Sequence, residues 1–263
     1  MTAFASGALV LSFDEAIATL TLNRPERGNA IDAAMWIALP EVIDAVARQR
    51  DALVLVVHGA AGNFAAGADI SEFDSVFADR ASTLRYAASM VAATGALARI
   101  ARPTIAAIEG HCIGAGVALA LACDLRIAAS DATFAVTPAR LGLVYTLTDT
   151  RRLATAIGSA AAKDLLFTGR RIDAAEALAL RLVGAVVEPA ALDAAVRARA
   201  RAIASASQWS VRQAKAMLEH IEEGGVEETD ETLGWFADAP EGEDFREGLA
   251  AFRARRAPRF PSR

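Results

Sequence analysis

Cysteine and histidine are both scarce in this chain of 263 residues, and each shortage removes a class of function. Only two cysteines occur, Cys112 and Cys123, both inside an alanine-rich apolar run. They are too few for a disulfide framework and read as small core residues in a reducing compartment. Three scattered histidines, His58, His111 and His220, offer no metal-ligand spacing. Positive charge is also short, with a formal net charge of −5. Phosphate backbones need clustered cations, so nucleic acid is not the expected partner. The best basic cluster, Arg253, Arg255, Arg256, Arg259 and Arg263, lies at the C-terminal end. It suits either a small anionic ligand or a solvated tail. The longest uncharged apolar run, residues 112–123, is too short to span a membrane. The first 14 residues lack a basic segment followed by an apolar one, so no signal peptide is expected. These shortages predict a soluble, cytoplasmic protein with no membrane partner.

Apolar residues are plentiful: 54% of the chain is hydrophobic against 22% charged. That supports a sizeable core, in one large domain or one domain with a helical appendage. Residues 8–10 and 16–22 read as two strands of a meander around Asp14-Glu15. Met35, Leu39, Val42, Ile43 and Val46 form a helical stripe. The apolar run 53–57 predicts a buried strand, followed by a small-residue loop over 59–67. The plan then repeats: a helix over 84–100, a strand over 103–108, a glycine-rich turn over 110–116, a helix to about 121, and short strands at 125–128 and 133–136. Repetition without a linker argues for one α/β core. From Thr148 the pattern is mostly helical. Asp173 with Glu176, and Ser210 with Gln213, are spaced as capping boxes, and Val211, Ala214, Leu218 and Ile221 make an apolar stripe. Residues 192–252 are expected to form a helical layer over the core or a neighbouring subunit.

Two segments are candidates for chemistry. Residues 64–70, Phe-Ala-Ala-Gly-Ala-Asp-Ile, follow a strand and leave backbone N–H groups reachable. Residues 110–116, Gly-His-Cys-Ile-Gly-Ala-Gly, follow another strand and lead into a helix, whose first N–H groups are free. Two such donors converging on one point make an oxyanion hole. Gly114 and Gly116 also echo a dinucleotide fingerprint, but Leu119 stands where the third small residue is needed.

Five blocks in order resemble the enoyl-CoA hydratase/isomerase (crotonase) superfamily. They are Asn23 to Ala30; Phe64 to Ile70; Pro103 to Gly110 with Gly114-Ala115-Gly116 and Ala122 to Ala128; Leu165 to Arg170 with Ala174, Glu176 and Ala177; and Phe245 to Arg256. The resemblance implies an α/β spiral of repeated ββα units over residues 1–190. It implies a C-terminal helical region over 191–263 for trimerisation and for covering the CoA site, giving a homotrimer or a dimer of trimers. The partner would be an acyl-CoA thioester, with coenzyme A present only as part of the substrate and no other cofactor. The oxyanion donors would be the N–H groups of Ala68 and Ala115. CoA would meet Arg24, Arg27, Ala30, Ala66, Ala68 and Ile70, with Phe252 and Arg255 reaching it from a neighbouring subunit.

Hydratases of this family use two glutamates, and the matching positions here hold Ala118 and Ala139, with Arg140 the alternative at the second. A methyl group carries no proton, so ordinary two-glutamate hydration is not expected. Alanine at both places predicts a larger, more apolar pocket for a bulky or long acyl chain. Three readings stay open: a non-standard acyl-CoA lyase or isomerase, a non-catalytic acyl-CoA-binding protein, and a malonyl-type decarboxylase. The last rests on Thr137-Pro138 and Leu141 to Tyr145, which resemble methylmalonyl-CoA decarboxylase and put Tyr145 on that enzyme's tyrosine. That enzyme has histidine and glutamate where Ala68 and Ala118 stand. The candidate proton-transfer groups are Tyr145, Asp149 and His111. Glu109, just before the glycine-rich turn, fits an ion pair or a surface position. Asp149 also fits a helix cap, and Tyr145 a packed core residue with its hydroxyl satisfied.

Overall fold

The computed structural model describes residues 1–261, so Arg263 of the basic cluster lies outside the described residues. The chain opens with β1 (Thr2–Phe4), β2 (Leu9–Asp14) and β3 (Ile17–Leu22). The second of these strands runs four residues beyond the expected stop at residue 10. Its antiparallel register pairs Asp14 with Ile17, so the turn is only Glu15-Ala16. Glu15 takes the positive φ of 51° that such a two-residue hairpin requires. Charge at the strand's end had hidden its length.

Helix α1 (Ala33–Arg48) follows, capped by the Asp32 carboxylate on the Met35 N–H, and buries the expected stripe from Met35 to Val46. Strand β4 (Val54–Gly59) comes next, then the single turn α2 (Phe73–Val76) and the long α3 (Arg80–Arg99). The second round gives β5 (Thr104–Ile108), β6 (His111–Ile113), α4 (Ala115–Leu121), β7 (Leu125–Ala129) and β8 (Thr133–Ala135). Strand β6 lies inside the segment read as a glycine-rich turn. Its pairing with β8 is only three residues long, below what period-2 alternation can show.

The remaining elements are α5 (Leu147–Ile157), α6 (Ser159–Thr168), β9 (Arg171–Asp173), α7 (Ala174–Ala179), β10 (Ala185–Val187), α8 (Leu192–Ala204), α9 (Gln208–Glu222), α10 (Asp230–Asp238) and α11 (Glu243–Arg253). Asp173 caps α7 as expected, but Glu176 does not reciprocate, because its carboxylate pairs with Arg170. The start expected at Ser210 is displaced: Ser207 is the cap and accepts from the Ser210 N–H. Only Ser210 satisfies the spacing rule, with Gln213, but it lies inside the helix, and Ser207 is the serine that precedes the helical backbone.

A seven-stranded sheet in the order β1-β2-β3-β4-β5-β7-β10 is antiparallel at β1–β3 and parallel from β3 onward. A second sheet holds β6, β8 and β9. One face of the large sheet buries Leu20, Leu55, Val57 and Ala106 with Trp36 and Leu39 of α1. The other face buries Val54, Val56 and Ile105 under Leu192, Val196 and Ala200 of α8. Coverage on both faces explains why β4 and β5 read as unbroken apolar runs. No helix among the described residues is long and apolar enough to cross a membrane. Cys112 and Cys123 are buried free thiols, and burial pushes the Cys123 thiol up to about 12.

Candidate active site

The two glycine-rich segments meet edge to edge. Ala65 bridges Cys112, with the Ala65 N–H donating to His111 O and the Ile113 N–H donating to Ala65 O. Gly116 makes this closeness possible. A Cβ there would lie 2.8 Å from Ala65 O. On its other side the first segment bridges Ile31, which bonds Gly67 O and the Asp69 N–H. In a parallel bridge the central residue turns its own N–H away from that partner. The Ala68 N–H is therefore directed away from Ile31, and it meets no acceptor among the described residues.

The second segment turns sharply at Gly114, whose φ of 51° belongs to the region that glycine favours. Ala115 then opens α4, and its N–H likewise has no acceptor among the described residues. Both residues line one cavity of about 360 Å³. Its far wall is Phe73, Phe77, Tyr86 and Met90. Phe77 sits edge-on to both Phe73 and Tyr86, with ring centroids 4.9 and 5.8 Å apart. Leu141, Leu143 and Val144 line it from the 138–146 loop, and Val144 is 91% exposed at its position there.

Asp149 lines the same cavity, and only 1% of it is exposed. Its Oδ2 accepts from Thr146 Oγ1 at 2.8 Å, while Thr146 Oγ1 accepts from the Asp149 N–H and caps α5. The cap is thus Thr146, and Asp149 stands one turn further in. Asp149 Oδ1 has no hydrogen-bond partner, and Arg152 Nη1 lies 3.8 Å from it. Burial raises the Asp149 carboxyl above its ordinary range; the Thr146 hydrogen bond and the Arg152 charge pull the other way. Among the described residues, no Lys, Arg or His lines this cavity.

Tyr145 also lines it, but its hydroxyl is engaged: it donates to Gly114 O at 2.5 Å. Burial, then the nearby Asp149, holds the phenol well above its usual range.

The other expected residues divide. Ala66 and Ile70 line the cavity, both exposed. Arg27 is exposed beside this loop. Arg24 is committed inside it, donating to Ala30 O and Asp69 and pairing with Asp32. Phe252 is 82% exposed on α11 and, like Arg255, is not among the lining residues. His111 is exposed with Nδ1 on Thr133 Oγ1, away from the lining. Glu109 and His58 line a different hollow, on the α8 side of the sheet. The expectation that Ala118 and Ala139 enlarge the pocket is corrected. Ala118 is buried in α4 and Ala139 is exposed in the 138–141 turn, and neither lines the cavity. Arg140 packs over Gly169 instead. The aromatic wall and Thr146 were missed. Their only sequence signals were aromatic residues at the start of and just before the 84–100 helical stretch and a threonine three residues before Asp149.

The sequence model of the enoyl-CoA hydratase/isomerase family matches residues 12–263. The chain belongs to the enoyl-CoA hydratase/isomerase family. A solved structure of a family protein from Hyphomonas neptunium is 42% identical, superposes with a TM-score of 0.95, and covers 97% of this chain and 98% of its own. The (E)-benzylidenesuccinyl-CoA hydratase of Thauera aromatica is 36% identical over 262 residues, 96% of this chain and 98% of that one. The peroxisomal Δ3,5-Δ2,4-dienoyl-CoA isomerase of Arabidopsis thaliana is 32% identical over 259 residues, 94% of this chain and 93% of that one. Family membership and the α/β fold are thereby fixed. Relatives of equal likeness carry different reactions, so the reaction must be argued from the cavity.

Proposed function

We propose that this protein binds an acyl-CoA thioester across the 64–70 and 110–116 segments and isomerises its acyl group by proton transfer. The carrying observation is one cavity lined by two residues whose backbone N–H groups have no acceptor among the described residues and by a buried carboxyl whose Oδ1 accepts no hydrogen bond, with Arg152 Nη1 3.8 Å away. In this reading the thioester oxygen accepts from Ala68 and Ala115. Asp149 takes a proton from carbon, and the C–H electron pair becomes an enolate held by the two donors. The same carboxyl returns the proton at another carbon, so the double bond moves and no co-reactant is needed. A carboxyl whose affinity for protons is raised by burial suits both halves of that transfer.

Decarboxylation of a malonyl-type thioester is the weaker reading. Among the described residues no cation lines the cavity to receive a second carboxylate, and Asp149 would repel it. The Tyr145 hydroxyl is already spent on Gly114 O. A non-catalytic binder is the remaining alternative, but it has no need of a carboxyl beside the donors. The CoA moiety is assigned to Arg27, Ala66 and Ile70 at the entrance. Arg24, Ala30, Phe252 and Arg255 are supporting positions, the last two contributed by a second copy in a homotrimer. Exposed Phe236 and Phe252, 79% and 82% accessible, support that assembly, and a monomer in sedimentation would remove it.

The test is mass spectrometry of crotonyl-CoA, longer enoyl-CoAs and methylmalonyl-CoA incubated with the protein in D₂O. Deuterium entry at acyl carbons that drops about 100-fold or more in Asp149→Asn is the expected result. Tight binding with no exchange of any thioester would favour the binder, and CO₂ release from methylmalonyl-CoA the decarboxylase.

A further inference from the structure

Tyr145 aligned with a tyrosine linked to carboxylate chemistry, yet its hydroxyl is turned onto the backbone. The atom it meets decides what it can do. Gly114 O belongs to the same peptide unit as the Ala115 N–H, because that unit runs from the Gly114 carbonyl to the Ala115 nitrogen. In a planar trans peptide the two groups point in opposite directions, so fixing one fixes the other. Gly114 O is held twice, by the Tyr145 hydroxyl at 2.5 Å and by the Ala118 N–H at 3.2 Å.

The unit needs such holding. Gly114 has φ 51° and ψ −112°, outside the helical region, and α4 is only seven residues long. One helical hydrogen bond is a weak clamp on a glycine hinge that can take many conformations. A second bond from a rigid ring, seated among cavity-lining residues, restricts the rotation of the peptide plane. It also polarises the unit, since a donor on the carbonyl strengthens the N–H on the other side.

We infer that Tyr145 is a positioning residue that aims and strengthens the Ala115 N–H toward the thioester oxygen, and that it transfers no proton. This rests on the reading that an acyl-CoA thioester lies between Ala68 and Ala115, but it is separable from the role of Asp149. The phenol stays protonated across the working range, because burial and then the Asp149 carboxyl both disfavour the phenolate. It therefore acts as a constant donor. Asp149 of α5, the Cys112 thiol of β6, Thr146 of its own loop and the Gly114 carbonyl of the β6–α4 turn are the polar groups near it, and no cation lies beside it among the cavity's described lining residues.

Tyr145→Phe removes one oxygen and keeps the ring. Two readouts test the inference. The first is isotope-edited infrared difference spectroscopy of bound hexanoyl-CoA carrying ¹³C at the thioester carbon. The wild-type protein should shift the carbonyl band to lower frequency, and Tyr145→Phe should lose a large part of that shift while Asp149→Asn keeps it. The second needs no ligand: the Ala115 amide ¹⁵N resonance should move upfield in Tyr145→Phe and stay in place in Asp149→Asn. Turnover, where present, should fall about tenfold through kcat with KM little changed, and the pH profile should keep its shape. An unchanged carbonyl band or an unchanged Ala115 resonance in Tyr145→Phe overturns the inference. Loss of a pH limb in that variant overturns it too, because that would make the phenol a proton carrier. If hexanoyl-CoA fails to bind the wild-type protein, the acyl-CoA reading falls, while the amide resonance still decides the role of Tyr145.

Discussion

Cavities on the two sides of helix α5 differ in how their charged groups are paired. In front lies the cavity of about 360 Å³ with Asp149 in its wall; behind lies a larger one of about 430 Å³. The rear cavity is far richer in charge, lined by Asp124, Arg126, Arg151, Arg152, Lys215 and Glu222 among others. Part of that charge is tied up, although Glu219 Oε1 and Arg152 Nη1 have no hydrogen-bond partner and burial raises the Glu219 carboxyl against the pull of Lys215. Lys215 donates to Asp124 and Arg102 O, Asp124 also accepts from the Thr104 N–H and hydroxyl, and Arg126 donates to Leu182 O and Cys123 O. These bonds fasten α9 and the β7 region to the sheet. In front there is one carboxyl, whose Oδ1 accepts no hydrogen bond and has Arg152 Nη1 3.8 Å away, and no cation lines the cavity among the described residues. Charge tied up in short hydrogen bonds builds structure; a buried carboxyl in an apolar wall with only a distant cation keeps a raised proton affinity.

Substitutions in the two cavities should therefore fail in different ways. The largest effect expected on stability is behind α5. Lys215→Met removes the charge partner of Asp124, which keeps its Thr104 donors, and the donor to Arg102 O; it should cost about 2 kcal/mol in urea unfolding, with deuterium exchange per folded molecule unchanged. A matching loss of exchange would erase the distinction. In front, Gly116→Ala places a methyl 2.8 Å from Ala65 O, forcing the Ala115 and Ala68 donors apart. About a tenfold loss of exchange is expected, with a smaller loss of stability. Arg152 lines the rear cavity and reaches across α5 to within 3.8 Å of Asp149 Oδ1. Removing this cation in Arg152→Gln should move the acid limb of the exchange rate to higher pH, and Arg152→Lys should move it less.

The smallest effect is a stability signature of Asp149 itself. Its folded carboxyl titrates above its unfolded value, so the native state binds more protons between the two, and stability falls as pH rises through that window. Asp149→Asn keeps an oxygen for Thr146 and lacks the charge. It should be more stable than wild type at neutral pH, and the advantage should vanish below the unfolded carboxylate's range. An advantage that persists at low pH would mean that burial of the charge is not its source.

Much of the frame was legible from spacing alone. The stripe from Met35 to Val46, the unbroken apolar run of β4 and the long α3 all follow from side-chain period and burial on both sheet faces. What escaped was set by tertiary contact. Strands β6, β9 and β10, of three residues each, exist because a neighbour pairs with them. Asp149 was legible as a candidate, but its isolation depends on which side of α5 meets which cavity. The engagement of Arg24 by Asp32 and Asp69 and of Tyr145 by Gly114 O are contacts across 8, 45 and 31 positions, which no local pattern encodes. Ala118 and Ala139 misled because the pocket's size was inferred from aligned positions that do not face it.

The most direct test of the front cavity's role is the pH dependence of deuterium entry into an enoyl-CoA, measured for wild type beside Asp149→Asn. The account predicts a wild-type rate that falls on acidification with a midpoint above an ordinary aspartate's, because the ionised form must take the proton, and a variant with almost no exchange and no such limb. Exchange in Asp149→Asn at the wild-type rate, or a limb unchanged by the substitution, would contradict it.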